Sequence, residues 1–363
     1  MDAEKISLEG AMQANNPNSL LGVDLNEFNK DVNLQVLARR FGFIYLRACS
    51  YGSGRLVVDK KFAEYAKECR DNGIPAGGYI YSMPSSDLTT ADEQCDTFIE
   101  ILQTGFGNND YGDLFPVLDV EGPIENLIPT TDLIDWIERF KKRFERKTRR
   151  RLMLYVGEYF VGLYDNFYYP GRGFPLSVMP LWIAKYRLAN VNDPIPSNVG
   201  GWTRWRVWQY SETGSVPGAR YPVDLNYGPD NIDYLIQPDI VSGLTATRRG
   251  NNIYVRWNAN KDLDLAGYNL FINRNYVTTL GKTSTSYNIP LRKYNYLKTP
   301  YIVAIEAFDR DGEVSKRRAS VTIQRTRNEE FYEEVEVKEK YNVYIRYPEG
   351  FNPEELYFDE VDS

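Results

Sequence analysis

The sequence predicts an α/β protein: a closed barrel of parallel strands, followed by a small all-β sandwich. Three observations predict it. Residues 20–238 alternate short apolar runs with longer helix-like ones, five strand–helix units and then strands with few helices between them. That rhythm suits a barrel with an irregular final third. Residues 239–325 change to short strands with near-alternating apolar positions, separated by turn signals, as in a two-sheet sandwich. Charge divides the same way, with −6 over residues 1–238, +7 over 239–325 and −8 over 326–363, which marks separate modules.

The elements follow in order. Residues 1–19 are polar and end in the turn-rich NNPNS, an N-terminal extension. LLGVDL reads as a strand, NLQVLARRF as a helix and FGFIYLRA as a strand. DKKFAEYAKECRDNG reads as a helix closed by Gly73, since glycine readily takes the left-handed turn that ends a helix. PAGGYIYSM is a strand, TADEQCDTFIEILQTGF a helix, LFPVLDVEG a strand and TTDLIDWIERFKKRFERKT a helix. RLMLYVG, MPLWIAKY, WRVWQYS and PVDLN complete the strands of the barrel. In 239–325, turns at 250–252 and 309–312 separate strands such as NNIYVRW and TPYIVAIEAFD. Residues 326–363 mix acidic clusters with Tyr, Val and Phe, the texture of an acidic docking extension.

Composition removes whole classes of function. With 363 residues and 42% apolar side chains, the chain can bury two or three cores. No run reaches the ~18 apolar residues of a membrane span. The first residues lack both a basic n-region and an apolar h-region, so no secretory signal is expected. The net charge of −7 argues against nucleic acid as a partner. There is no histidine, which excludes Ser-His-Asp and Cys-His catalysis and every histidine-ligated metal site. Three cysteines without a CxxC (Cys49, Cys69, Cys95) make neither a disulfide scaffold nor a zinc knuckle and read as core residues. No metal or cofactor is implied. Carboxylates remain as the acid/base groups.

The most informative stretch is LFPVLDVEGP. Asp119 and Glu121 stand two apart on a strand, so both side chains leave the same face. In a parallel barrel that strand ends at the pole where active sites are built. Two carboxylates in one cleft repel each other and push one toward its protonated form, the equipment of a glycosidase. An exposed pair at a strand end is the plainer alternative. Asp24 and Asp224, near the ends of the first and last barrel strands, should join them, because those strands become neighbours when a barrel closes. Tyr79, Tyr155, Trp182 and Tyr186 also lie on strand ends, as sugar-stacking faces or as barrel core.

The segments GVDLNEF, FIYLRACSYG, AGGYIYS, PVLDVEGP, LMLYVGEYF, LWIAKY and WQYSETGSVPG followed by VDLN resemble, in order, the landmarks of glycoside hydrolase family 25. These are the Chalaropsis-type lysozymes, N-acetylmuramidases of bacterial peptidoglycan. The resemblance covers residues 20–237. It implies a TIM-like (β/α)5(β)3 barrel and hydrolysis of the β-1,4 bond from N-acetylmuramic acid to N-acetylglucosamine. It gives Glu121 the general acid/base role, and Asp119 the steering of the 2-acetamido group or the role of nucleophile. Asp24 and Asp224 become flanking acids, and Tyr155 and Trp182 cleft aromatics. The chain departs from the family's Tyr-His-Phe at Tyr79-Ile80-Tyr81 and from its Thr-Glu-Gly at Ser50-Tyr51-Gly52. Both departures place subsite preference in question.

Residues 239–325 resemble a fibronectin type III module, an immunoglobulin-like sandwich, through Trp257, the DLDLAGY turn and the YIVAIEAFD strand. Its positive charge would attract anionic wall polymers or serve as a spacer's solubility. Residues 139–151 hold nine basic side chains, a solvated helix face or a docking patch. Without a signal, a wall hydrolase made in a host cytoplasm reaches its substrate after lysis through a membrane-permeabilising partner, or rides on a particle. The expectation is therefore a phage endolysin, or a lysin carried by a phage tail whose proteins hold the terminal extensions. A weakly active barrel serving as a wall-binding or structural component is the competing class.

Overall fold

The structure is a computed structural model and describes residues 18–186, 196–294, 297 and 300–324. Most of the N-terminal extension expected over 1–19, and the docking segment expected in 326–363, lie outside the described residues.

Eight strands close into a ring. They are β1 (Leu21–Leu25), β2 (Phe43–Ser50), β4 (Ala76–Tyr81), β5 (Val117–Asp119), β6 (Met153–Gly157), β7 (Leu181–Ala184), β8 (Val207–Val216) and β9 (Ala219–Tyr227). Neighbours pair in the order β1-β9-β8-β7-β6-β5-β4-β2, and β1 pairs with β2 to complete the circuit. The two-residue β3 (Val57–Val58) hangs on β2. Helices α1 (Leu34–Leu37), α2 (Phe62–Asn72), α3 (Thr89–Phe106), α4 (Thr130–Thr148) and α5 (Glu158–Leu163) fall in the five connections among the first six strands of the ring, β1 to β7. Two expectations are corrected. NLQVLARRF makes one turn of helix rather than three. The ring is not wholly parallel, since β9 runs antiparallel to both β8 and β1. The connection Pro217-Gly218 is too short for a crossover and permits only a hairpin.

The period of two sorts every strand between two cores. Phe43, Tyr45, Tyr79, Val117, Met153, Tyr155, Trp182 and Val207 point inward and fill the ring. Ile44, Leu46, Ile80, Leu118, Leu154 and Ile183 point outward to meet the helices. Strands buried on both faces need such continuous apolar runs. Gly77 admits the Tyr45 ring and Gly78 admits Leu102 and Phe62, so a side chain at either would clash. Helix α2 ends at Gly73 with φ +64.

Helices α3 and α4 are joined twice, by an apolar seam and a charged one. Phe98 stacks on Phe144 with centroids 5.6 Å apart, while Arg139 bonds Asp92, and Arg143 and Lys147 both bond Asp96. The basic run at 139–151 is thus largely paired rather than a solvated face, for Arg149, Arg150 and Arg151 also hold Glu306, Glu313 and Glu145. The three cysteines are free and buried, with each thiol pushed up to about 12 by burial.

Beyond the ring, β10 (Thr245–Arg249), β11 (Asn252–Arg256) and β14 (Ser286–Pro290) form one antiparallel sheet. A second comprises β12 (Leu265–Ile272), β13 (Asn275–Gly281), β15 (Tyr301–Asp309) and β16 (Ala319–Ile323). Both contribute to one core around Trp257, Tyr268, Leu270 and Ile305.

Candidate active site

The C-terminal ends of the parallel strands open on a cleft of about 240 Å3, and all eight site residues expected from the sequence line it. Asp24 and Asp224 face each other in register across β1 and β9. Asp119 closes β5, and Glu121 follows two residues on, before a cis Gly122–Pro123 peptide. The two carboxyl groups line the cleft side by side and are electrostatically linked. One oxygen of Asp119 is buried with no hydrogen-bond partner.

Burial governs the electrostatics. Burial first, and then the Glu121 charge, hold Asp119 well above the usual carboxylate range, and burial raises Glu121 as well. Such a pair holds a proton to higher pH than an isolated carboxyl does, because two like charges in one dry site disfavour double ionisation. Asp224 is pushed up to about 9 by burial and by the charge of Asp24. Asp24 is itself raised by burial, against the pull of N–H groups from Asn226 and Gln209. Four acids at one mouth therefore present a mixture of protonated and ionised groups, which is what general acid/base chemistry at a glycosidic oxygen requires.

The aromatics divide by depth. Tyr79, Tyr155 and Trp182 form the floor, with Trp182 centred 4.6 Å from Tyr45 and 5.0 Å from Tyr155. Tyr186 stands half-buried on the wall. The two departures at Ile80 and Tyr51 leave the cleft lining intact. Ile80 has the outward parity of β4 and is buried among the helices, so no polar cleft contact is lost there. Tyr51 lies beside Thr97 and Glu93 of α3.

Five lining residues escape the sequence reading: Asn26, Arg47, Tyr81, Gln209 and Glu212; behind them the fully buried Asn226 bonds Asp24. Strand parity could have found several of them. Tyr81 shares the face of Tyr79, and the buried Asn226 that of Asp224. Arg47, the one cation among the described residues of the lining, is held by Asp59 at 3.1 Å and lies 5.1 Å from the Phe28 ring. A larger open groove of about 780 Å3 lies at the other end of the ring, near Pro75 and Gly112. Its acids are scattered, with no bonded pair.

Among the described residues no cluster of acids or cysteines can hold a metal ion, and no helix is long and apolar enough to cross a membrane.

Comparison with known proteins agrees with this geometry. The family model described as Glycosyl hydrolases family 25 matches residues 23–219. The crystal structure of the Clostridium perfringens spore cortex lytic enzyme SleM is similar over 86% of this chain and 100% of that one, with 53% identity and a TM-score of 0.82. Lysozyme M1 of Streptomyces globisporus is 26% identical over 210 residues, 56% of this chain and 66% of that protein. The protein YegX of Escherichia coli strain CFT073 is 26% identical over 232 residues, 62% of this chain and 75% of its own length.

Proposed function

As this chain belongs to glycosyl hydrolases family 25, we propose that it is an N-acetylmuramidase, cutting the β-1,4 bond between N-acetylmuramic acid and N-acetylglucosamine with retention. The Asp119–Glu121 pair, side by side in one cleft, carries the reading. Glu121, partly open to the cleft, protonates the glycosidic oxygen and later takes a proton from water. Asp119, deeper and with a free oxygen, stabilises the oxazolinium formed by the substrate's own acetamido group, or attacks as nucleophile. Asp24 and Asp224 flank the pair and bond the sugar.

Kinship with SleM supports a sharper reading, in which the peptidoglycan met by this enzyme is spore cortex. The phage-borne lysin expected from the sequence differs in predicting lysis of vegetative walls. We read the ring as a (β/α)5(β)3 barrel spanning 20–238 and the two small sheets as a fibronectin type III-like module spanning 239–325. In that module Trp257 packs edge-on to Tyr268 at 5.5 Å. Attraction of anionic wall polymers to it belongs to the same reading, and would weaken with added salt.

Product analysis on purified cortex and on vegetative peptidoglycan tests the proposal. New reducing ends on muramic acid are expected from cortex, and none from Glu121→Gln. Ends on glucosamine, or undiminished release by that variant, would overturn it. Release from vegetative wall alone would favour the phage reading, and binding without release the structural one.

A further inference from the structure

We propose that Gln209 is a positioning residue that sets the hydrogen-bond polarity of the cleft wall. Its amide holds Asp24 as an acceptor and commits the hydroxyl protons of Tyr155 and Tyr186, leaving their oxygen lone pairs to receive N–H or O–H groups of a sugar. This deepens the muramidase reading and rests on it for the identity of that sugar.

One chain of contacts fixes this polarity. Trp182 donates its indole N–H to Asn226 Oδ1 at 2.9 Å. An indole can only donate, so the Asn226 amide is fixed with its oxygen toward Trp182. Its Nδ2 then donates to Asp24 Oδ2 at 2.7 Å. Gln209 Nε2 lies 3.2 and 3.0 Å from the two oxygens of Asp24. Turned over, the glutamine would place an oxygen against that carboxylate with no proton between them. The observed orientation leaves Oε1 to accept from Tyr155 at 2.8 Å and from Tyr186 at 3.0 Å. Each tyrosine hydroxyl has one proton and two lone pairs, and the proton is now spent on Gln209.

Asp24, Asn226 and Gln209 are all buried, so a mismatched donor or acceptor here is costly. The network must keep its sense as a unit. Asp24 is faced by Asp224 from β9, Asp119 from β5 and Glu121 just beyond it, Tyr79 from β4, Tyr155 from β6 and the cleft cation Arg47 from β2. Among these acids Asp24 is the one supplied with N–H donors from two side-chain amides. It is therefore the acid of the quartet most firmly held as a hydrogen-bond acceptor.

The test is Gln209→Glu, which keeps shape but puts an oxygen where Nε2 donated. That variant can satisfy Asp24 only by binding one further proton. Affinity for the N-acetylglucosamine trimer is measured by calorimetry from pH 4 to 9, alongside reducing-end release from peptidoglycan. Gln209→Glu is expected to match the unaltered protein at the acid end, then to lose about tenfold in affinity per pH unit as the extra proton leaves. Tyr186→Phe, which keeps the amide's orientation, is expected to weaken trimer binding about three- to tenfold with no change in the shape of the profile. Parallel pH profiles for Gln209→Glu, equal or uniformly depressed, would overturn the proposal, as would full affinity in Tyr186→Phe. Trimer binding reports on the network even where no bond is cut. A protein that binds trimer but releases no reducing ends would count against the muramidase reading alone.

Discussion

Arg150 and Glu313, 163 residues apart in sequence, meet as a buried ion pair with Nε 2.9 Å from Oε1. The remaining guanidinium N–H groups reach the carbonyls of Gly112 at 2.6 Å and Leu114 at 2.8 Å, and the other Glu313 oxygen accepts from the Arg151 amide. The loop after β15 is thereby fastened beneath β5, at the end of the ring opposite the acids. Arg206 reinforces it by bonding Asp311.

Glu313→Gln should therefore be strongly destabilising, because it strands a cation that burial cannot hydrate. Loss of one partner of such a pair costs about 3–5 kcal/mol. Denaturant unfolding would read this directly. A loss below about 1 kcal/mol, the range of exposed pairs, would mean the junction does not depend on the charge.

The same loop makes stability depend on pH. Burial, and then the charge of Asp264, push Asp309 up to about 8, and burial pushes Asp264 up to about 7. A carboxyl that holds its proton longer in the folded chain than in the unfolded one favours folding at low pH. That advantage is lost as pH rises from the unfolded value near 4 through the folded one. Asp309→Asn keeps an oxygen for the amides of Asp311 and Glu313, which Asp309 Oδ1 now accepts, and removes the buried charge. Relative to the unaltered chain it should gain stability on going from pH 5 to pH 8. An identical pH dependence of unfolding for the two proteins would refute this.

In the cleft, Asp119→Asn should lower turnover by roughly 10²–10⁴, the range of a positioned acid/base group. Burial and the charges of Asp24 and Glu212 raise Glu121, while the Asp119 carboxyl beside it lowers it by hydrogen bonding. An amide is a weaker donor than that carboxyl, so the alkaline limb of the residual activity should move to higher pH. The pH dependence of kcat/KM on peptidoglycan decides, and a limb moved to lower pH would show that repulsion between the two carboxyls dominates instead.

Much of this site was legible in sequence because strand parity is a local property. Asp119 and Glu121, two apart at the end of an apolar run, must share a face, and Gly73 announces the end of its helix through backbone conformation alone. The residues missed are those whose partners are remote. Gln209 reaches Asp24 across 185 residues, and no local pattern reports which amide will meet which acid. The basic run at 139–151 looked solvated because its carboxylates, Asp92, Asp96, Glu306 and Glu313, lie on other elements. Ile80 looked like a lost cleft contact because which parity faces inward depends on closure of the ring.

The amino-acid order by itself determined the strand–helix rhythm, the absence of histidine chemistry and the identity of the four acids. Those follow from short-range sterics and from composition. Tertiary structure decided which way β9 runs, which side chains hold Asp24, and where the loop after β15 attaches. These are contacts between segments distant in the chain, and their energies exist only once burial has stripped the water from both partners.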